Sequence, residues 1–507
     1  MDSEPVLELS GISKRFGALI ANDNISLALH SGELLALLGE NGAGKTTLMN
    51  ILFGHYTADA GVVRAFGKEL PAGRPSAAIE AGIGMVHQHF TLAGNLSVLD
   101  NIMIGTERLS LLRSDRSAAR QKLAALSQRF GLQVEPDRLV GTLSVGEKQR
   151  VEILKALYRD ARVLILDEPT AVLTGLESEK LFATLKGMTE TGLSVIFISH
   201  KLAEVMSASQ RVIILRSGRV VAEKRTADTD RAELAELMVG RRVTRPVKRE
   251  QPPGAQVLAA LNVDVVEDGR KTLDNINFSV RAGEVLGIIG VSGNGQASLG
   301  RLVCGLVGAS SGTLVRDGVE TRRFSPRSLV KAQTARIPED RNAEGAIGEM
   351  SVWENTVLER IKNSRFSSHG LVNRTACKAF AADIIGRFDV RGGGPDTGTR
   401  NLSGGNMQKM ILGRNLAAAP ELIVANQPTR GLDEGAIAAV HAQLLASRSS
   451  GAAILLISED LDEVLALSDT VQAIFNGRLS DPVAAADADA QSVGLMMAGI
   501  WGSADAA

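Results

Sequence analysis

Apolar positions along this chain fall into short runs. "RVLILDE" (162–168) and "LSVIFISH" (193–200) are nearly continuous and β-branched, as strands covered on both faces should be. Between them, "ESEKLFATLKGMTE" (177–190) carries apolar residues at helical spacing. "ELLALLG" (33–39) reads as a buried strand running through a glycine loop into an apolar-periodic helix, "GKTTLMNILFG" (44–54). "RVIILRSGRVVAE" (211–223) predicts a hairpin turning at Ser217-Gly218. Strands alternating with helices predict an α/β fold.

The pattern occurs twice. "GELLALLGENGAGKTTL" (32–48) corresponds to "GEVLGIIGVSGNGQASL" (283–299), with Gly39 against Gly290 at an offset of 290 − 39 = 251. "DNISL" and "DNINF" share that offset, as do Gln88 and Glu339. Farther on, "LSVGEKQRVEILKAL" (143–157) meets "LSGGNMQKMILGRNL" (402–416) at 402 − 143 = 259. "VLILDEPTAVLTG" (163–175) and "LIVANQPTRGLDE" (422–434) keep 259, as do "ISHKLAEV" (198–205) and "ISEDLDEV" (457–464). Two constant offsets imply a duplicated domain. The expected organisation is a first domain over 1–240, a linker over 241–256, a second domain over 257–500 and a tail over 501–507. The linker, "RRVTRPVKREQPPGAQ", reads as short and exposed because of its prolines and charges. The Ala/Asp-rich end of the chain reads as disordered.

Composition narrows the class. A chain of 507 residues is too long for one ordinary core, and 44% hydrophobic residues with a net charge of −1 describe a globular protein that does not coat nucleic acid. No secretory signal is visible, and no apolar run reaches the ~18 residues of a membrane helix. The cysteines Cys304 and Cys377 lack metal-ligand spacing and read as buried or idle thiols.

The chemistry gathers in the first half. "GENGAGKT", Gly39, Glu40, Asn41, Gly42, Ala43, Gly44, Lys45 and Thr46, followed by Thr47, fits a phosphate-cradling loop between strand and helix. Its glycines let backbone N–H groups point inward, Lys45 reaches phosphate and Thr46 faces Mg²⁺. Asp167 ends a strand where such sheets bind ligands and can hold the magnesium through water. Glu168 can orient and deprotonate the attacking water, and His200, ending the neighbouring strand, can reach the γ-phosphate. Taken singly these residues read more plainly: Asp167-Glu168 as a solvated cap, His200 as a surface group, Phe16 as core, and Gln88 with His87 and His89 as ordinary loop residues.

The combination resembles the ABC-type ATPases, nearly end to end in both halves. The resemblance implies two tandem P-loop ATPase domains, each with a mostly parallel sheet, an antiparallel β subdomain and a helical subdomain carrying the signature. It implies ATP and Mg²⁺, with Gln88 as magnesium-sensing glutamine, "LSVGE" and "LSGGN" as signatures, His200 as switch histidine and Phe16 stacking on adenine. The second half departs at each catalytic position: Lys45 becomes Gln296, Thr46 Ala297, Asp167 Asn426, Glu168 Gln427 and His200 Glu459. Gly290, Gly293 and Gly295 remain, so the loop shape is expected to survive without its chemistry. ABC domains are expected to pair head to tail, which would set the intact loop against Ser403, Gly404 and Gly405. The degenerate loop would meet "LSVGE", where Val145 replaces a glycine. Asp433 in "RGLD" against Thr174 in "AVLT" sorts the same way. One hydrolytic and one structural or regulatory site is the expectation.

"NLSVLDNIMI" (95–104) and "EMSVWENTVL" (349–358) lie, by the resemblance, where importers receive helices of two membrane permease subunits; read alone, each is an amphipathic core helix. A solute-binding protein, no nucleic acid, and a peripheral place on the cytoplasmic face of the inner membrane follow from the same resemblance. "VHQHFTLAGNLSVLDNI", "LSVGEKQRVEILKALYR" and the acid-free "QPTRGLD" look closest to nucleoside importers, with ribose or another monosaccharide as the alternative. A ribosome-binding tandem ABC protein would be expected to carry two intact sites and a long charged linker. A DNA-repair relative would carry coiled-coil or zinc insertions; this sequence has none of these features.

Overall fold

The structure, a computed structural model, describes residues 4–17, 19–87, 90–106, 115–170, 173, 175–240, 242 and 246–501. It divides into two compact units, Met1–Val243 and Thr244–Ala507.

In the first unit six strands form one sheet in the order Arg219–Arg225, Arg211–Arg216, Leu34–Leu38, Ser194–Ser199, Val163–Asp167, Ile83–Val86. All neighbours are parallel except the outer hairpin, whose turn at Ser217 and Gly218 takes φ of 51° and 78°. The central strand is apolar throughout because both faces are covered. Leu35 and Leu37 join the core that includes Leu48 and Leu52 of the helix Lys45–Leu52. Leu34, Ala36 and Leu38 join a second core with Val151 and Leu154 of Val145–Tyr158 and Leu185 of Gly175–Glu190. A separate antiparallel sheet runs in the order Leu19–Leu29, Leu7–Phe16, Ala60–Ala65, Lys68–Glu69. The helices Val98–Met103, Arg116–Phe130 and Val145–Tyr158 make up the helical part.

The second unit repeats this plan. Its sheet runs Thr334–Ile337, Leu422–Asn426, Ala453–Ser458, Val285–Ile289, Thr470–Phe475, Arg478–Leu479, with Val483–Ala484 also on Thr470–Phe475. Its antiparallel sheet runs Arg270–Arg281, Gln256–Glu267, Ser311–Arg316, Val319–Thr321.

Most of residues 246–256 are exposed, and the stretch is also fastened to the second unit. Arg448, 1% exposed, donates to the Arg249 carbonyl at 2.7 Å and pairs with Asp469 at 2.7 and 2.9 Å. Gln251 Nε2 donates to the Gly283 and Arg448 carbonyls at 2.8 and 3.0 Å, and Gln256 already opens a strand. Its prolines keep it out of regular structure, but side-chain bonds hold it in place. Near the chain's end Ala490–Met497 is a helix with an Asp489 capping box, and Trp501 meets the Phe475 ring edge-on at 6.2 Å; the rest of the expected tail lies outside the described residues. Both cysteines are buried. Among the described residues, no helix is long and apolar enough to cross a membrane.

Candidate functional site

The loop 39–46 leaves the central strand at its carboxyl end. Gly42 and Gly44 take φ of 85° and 99°, and Gly39 lies so close to the next strand that a Cβ would stand 2.4 Å from the Leu215 carbonyl oxygen. Lys45, buried at 6% exposure, opens the helix and donates to the Gly39 and Glu40 carbonyls at 2.6 and 2.9 Å. Ala43 is buried, Glu40, Gly44 and Thr47 are half-buried, and Asn41, Gly42 and Thr46 are exposed at the rim.

Asp167 and Glu168 end the strand two places from the loop. Consecutive strand residues normally face opposite ways, yet both carboxyls feel the Lys45 ammonium. Glu168 takes a left-handed φ of 47°, which redirects its side chain and costs about 1 kcal/mol or more. Burial, then the neighbouring Glu168 charge, raises the Asp167 pKa to about 6, against the opposing pull of Lys45 and a Thr46 hydrogen bond. For Glu168 burial acts upward as well, but the His200 hydrogen bond and charge, with Lys45, outweigh it and hold the carboxyl below its usual range. His200 Nδ1 lies 2.9 Å from Glu168 Oε1. Lys45, Thr46, Asp167, Glu168 and His200 therefore form one cluster.

Phe16 is not core. It is 44% exposed at the end of its strand, edge-on to Tyr56 at 5.6 Å, with the Lys14 ammonium 5.5 Å from its ring. His87 stacks on His55, and burial holds its pKa below the usual range. Gln88, His89 and Thr174 lie outside the described residues.

An oxygen donor set suited to a hard divalent cation is present. Asp167 is a buried carboxylate whose raised pKa records the cost of its unbalanced charge, and the Thr46 hydroxyl stands beside it. These residues fit Mg²⁺.

The second unit keeps the shape and loses the charges. Gly293 and Gly295 take φ of 88° and 115°, a Cβ at Gly290 would stand 2.5 Å from the Ile474 carbonyl oxygen, and Gln427 takes φ of 49°. Gln296 Nε2 donates to the Val291 carbonyl at 2.8 Å while its Oε1 accepts from the Asn294 N–H at 3.1 Å. Burial raises the Glu459 pKa, with Arg430 and a Ser292 hydrogen bond opposing.

The signatures differ too. Ser144 caps the helix Val145–Tyr158 in a capping box with Glu147. Ser403 makes no such cap on Gly404–Leu416; its hydroxyl accepts from the Asn406 amide at 2.8 Å. The glycine-for-valine and asparagine-for-glutamate exchanges thus leave the start of the second helix without a side-chain cap. Asp433 caps its own helix through the Ala436 N–H at 2.8 Å.

Sequence reasoning missed two repeated groups. Glu204 is buried and accepts from Thr170 at 2.5 Å and Ser199 at 2.8 Å, tying the strand end that bears Glu168 to the one that bears His200. Glu463 does the same with Thr429 at 2.8 Å and Ser458 at 2.6 Å. Asn101 and Asn355 pair both the N–H and the carbonyl of Ala93 and Ile347, at 2.8 to 3.0 Å, bracing the loops before their helices. The signal was the offset: 463 − 204 = 259 and 355 − 101 = 254.

The ABC transporter family profile matches residues 22–171 and 273–430. A guanosine import ATP-binding protein of Bacillus subtilis is 43% identical over 498 residues, 98% of each chain. A glucose import ATP-binding protein of Haloferax volcanii is 42% identical over 531 residues, 98% of this chain and 96% of that one. A nucleoside import ATP-binding protein of Lactococcus lactis is 40% identical over 501 residues, 98% and 99% respectively. With both halves matched, the chain belongs to the ABC transporter family.

Proposed function

We propose that this chain is the ATP-hydrolysing subunit of a nucleoside importer, acting with two membrane permease subunits and a solute-binding protein at the cytoplasmic face of the inner membrane. The observation that carries this reading is full-length similarity to import proteins for guanosine and nucleosides, joined to one charged cluster in the first unit.

In this reading ATP lies with its phosphates in the loop 39–46 and its base on Phe16. Lys45 balances phosphate charge. Mg²⁺, held by Thr46, Asp167 and Gln88, would neutralise charge on the phosphate oxygens. Glu168, kept ionised by His200, orients a water in line with the γ-phosphate and accepts its proton; the P–O bond to ADP breaks. His200 holds that carboxylate at a fixed angle. The resemblance pairs this loop with Ser403, Gly404 and Gly405.

The test is ATP turnover in the assembled complex. The binding protein loaded with guanosine or another nucleoside should stimulate it, and glucose or ribose should not. The sugar reading has its own support in the 42% identical glucose import relative; stimulation by a sugar alone would decide for it.

A further inference from the structure

The second cradle is altered beyond its lost lysine. The offset of 251 that takes Gln88 to Glu339 also takes Phe16 to Glu267, since 267 − 16 = 251, and the offset of 259 takes His200 to Glu459. Three positions that in the first unit surround a nucleotide site are therefore carboxylates in the second. The structure confirms the equivalence of position for two of them. Phe16 and Glu267 each end the first strand of their antiparallel sheet, and His200 and Glu459 each follow a buried serine at the end of a core strand.

Each acid is tied to a neighbour within its own unit. Glu267 accepts from Ser298 at 2.6 Å and pairs with Arg301 at 2.9 Å, both on the helix that follows the loop. Glu339 pairs with Arg430. Glu459 is hydrogen-bonded to Ser292 in the loop itself. Inside the loop, Gln296 Oε1 takes the Asn294 N–H, and a Cβ at Gly290 would meet Gln296 Nε2 at 2.8 Å, so the amide fills the space beneath the loop.

We infer that the second cradle binds no nucleotide: Gln296 fills the space beneath the loop without the charge of a lysine, Glu267 replaces the aromatic ring, and Glu459 sets a carboxylate on Ser292 of the loop itself. A loop of this shape favours anions through its N–H groups. Here the balancing ammonium is gone, and Glu459 is hydrogen-bonded to Ser292 of the loop. With Glu267 and Glu339 paired to Arg301 and Arg430, the loss comes from the missing ammonium and from Glu459, and affinity falls at least ~100-fold against the first loop. The second loop then stays empty throughout the ATP cycle.

This inference rests on the reading that the first loop takes ATP, and the experiment separates the two. Equilibrium dialysis of the full chain against Mg²⁺ and a non-hydrolysable ATP analogue should give one nucleotide per wild-type chain and none for Lys45→Ala. A chain carrying Glu267→Phe, Gln296→Lys, Glu339→Gln and Glu459→His should approach two. Two nucleotides on the wild-type chain, or one retained by Lys45→Ala, would overturn the inference and leave the hydrolysis reading standing. If Lys45→Ala fails to fold, the wild-type stoichiometry alone decides. A stoichiometry of one without turnover in the assembled complex would instead overturn the hydrolysis reading.

Discussion

The two strand ends, Asp167-Glu168 and Asn426-Gln427, form a controlled comparison within a single chain. Both follow a five-residue buried strand, both place the second residue in the left-handed region, and both lie over a buried Glu–Ser–Thr network. They differ in charge. The first pair faces a lysine and a histidine; in the second, Gln427 Oε1 accepts from the Glu459 N–H at 3.4 Å. Backbone shape therefore does not depend on the catalytic acids. Scaffold and chemistry are separable, and the fold persists when the chemistry goes.

Breaking the comparison on the charged side should have the largest effect. Glu168→Gln and Lys45→Ala should each lower ATP turnover in the assembled complex by roughly 100-fold or more, whereas Gln427→Ala should leave it within about twofold. Strong dependence on Gln427 would contradict the division of roles.

Asp167→Asn makes the first unit resemble the second. The gap between about 6 and the usual 3.8 corresponds to roughly 3 kcal/mol at most. The folded acid holds its proton more tightly than the unfolded one, so stability falls as pH rises from about 4 to about 6 and stays lower above. In chelator at pH 7.5, Asp167→Asn should therefore raise the thermal midpoint by several degrees while abolishing turnover, and the gain should vanish below about pH 4. An unchanged midpoint at pH 7.5 would show that the buried charge is already balanced.

Next in size is the hidden carboxylate. Glu204→Gln should lower kcat about 10-fold with little change in KM, because Glu168 and His200 lose their common anchor. Glu463→Gln, its twin, should leave kcat nearly unchanged. Equal losses from both would reduce the network to a structural brace. Smallest is the base contact: Phe16→Ala should raise the KM for ATP a few-fold, and Glu267→Ala should not alter it.

Much of this was legible in the sequence. The glycine loop, the strand-end acids and the signature are local, so fixed spacing exposes them, and the offsets showed which copy had lost its chemistry. Less visible were residues whose role depends on distant partners. Arg448 looks like an ordinary helix residue until Asp469 and the Arg249 carbonyl are found beside it. Glu204 sits in an unremarked helix and matters because two strand ends converge on it. Asp-rich composition concealed the capped helix near the chain's end, since capping is a matter of one residue, Asp489, and its place.

Gln427 retains the left-handed backbone of the residue it replaced without the duty that justified it. An asymmetric side chain there still crowds its own carbonyl, a cost a residue with no side chain would escape. That position is thus an inherited flaw: Gln427→Gly should firm up this half of the molecule, a gain unavailable at its working counterpart.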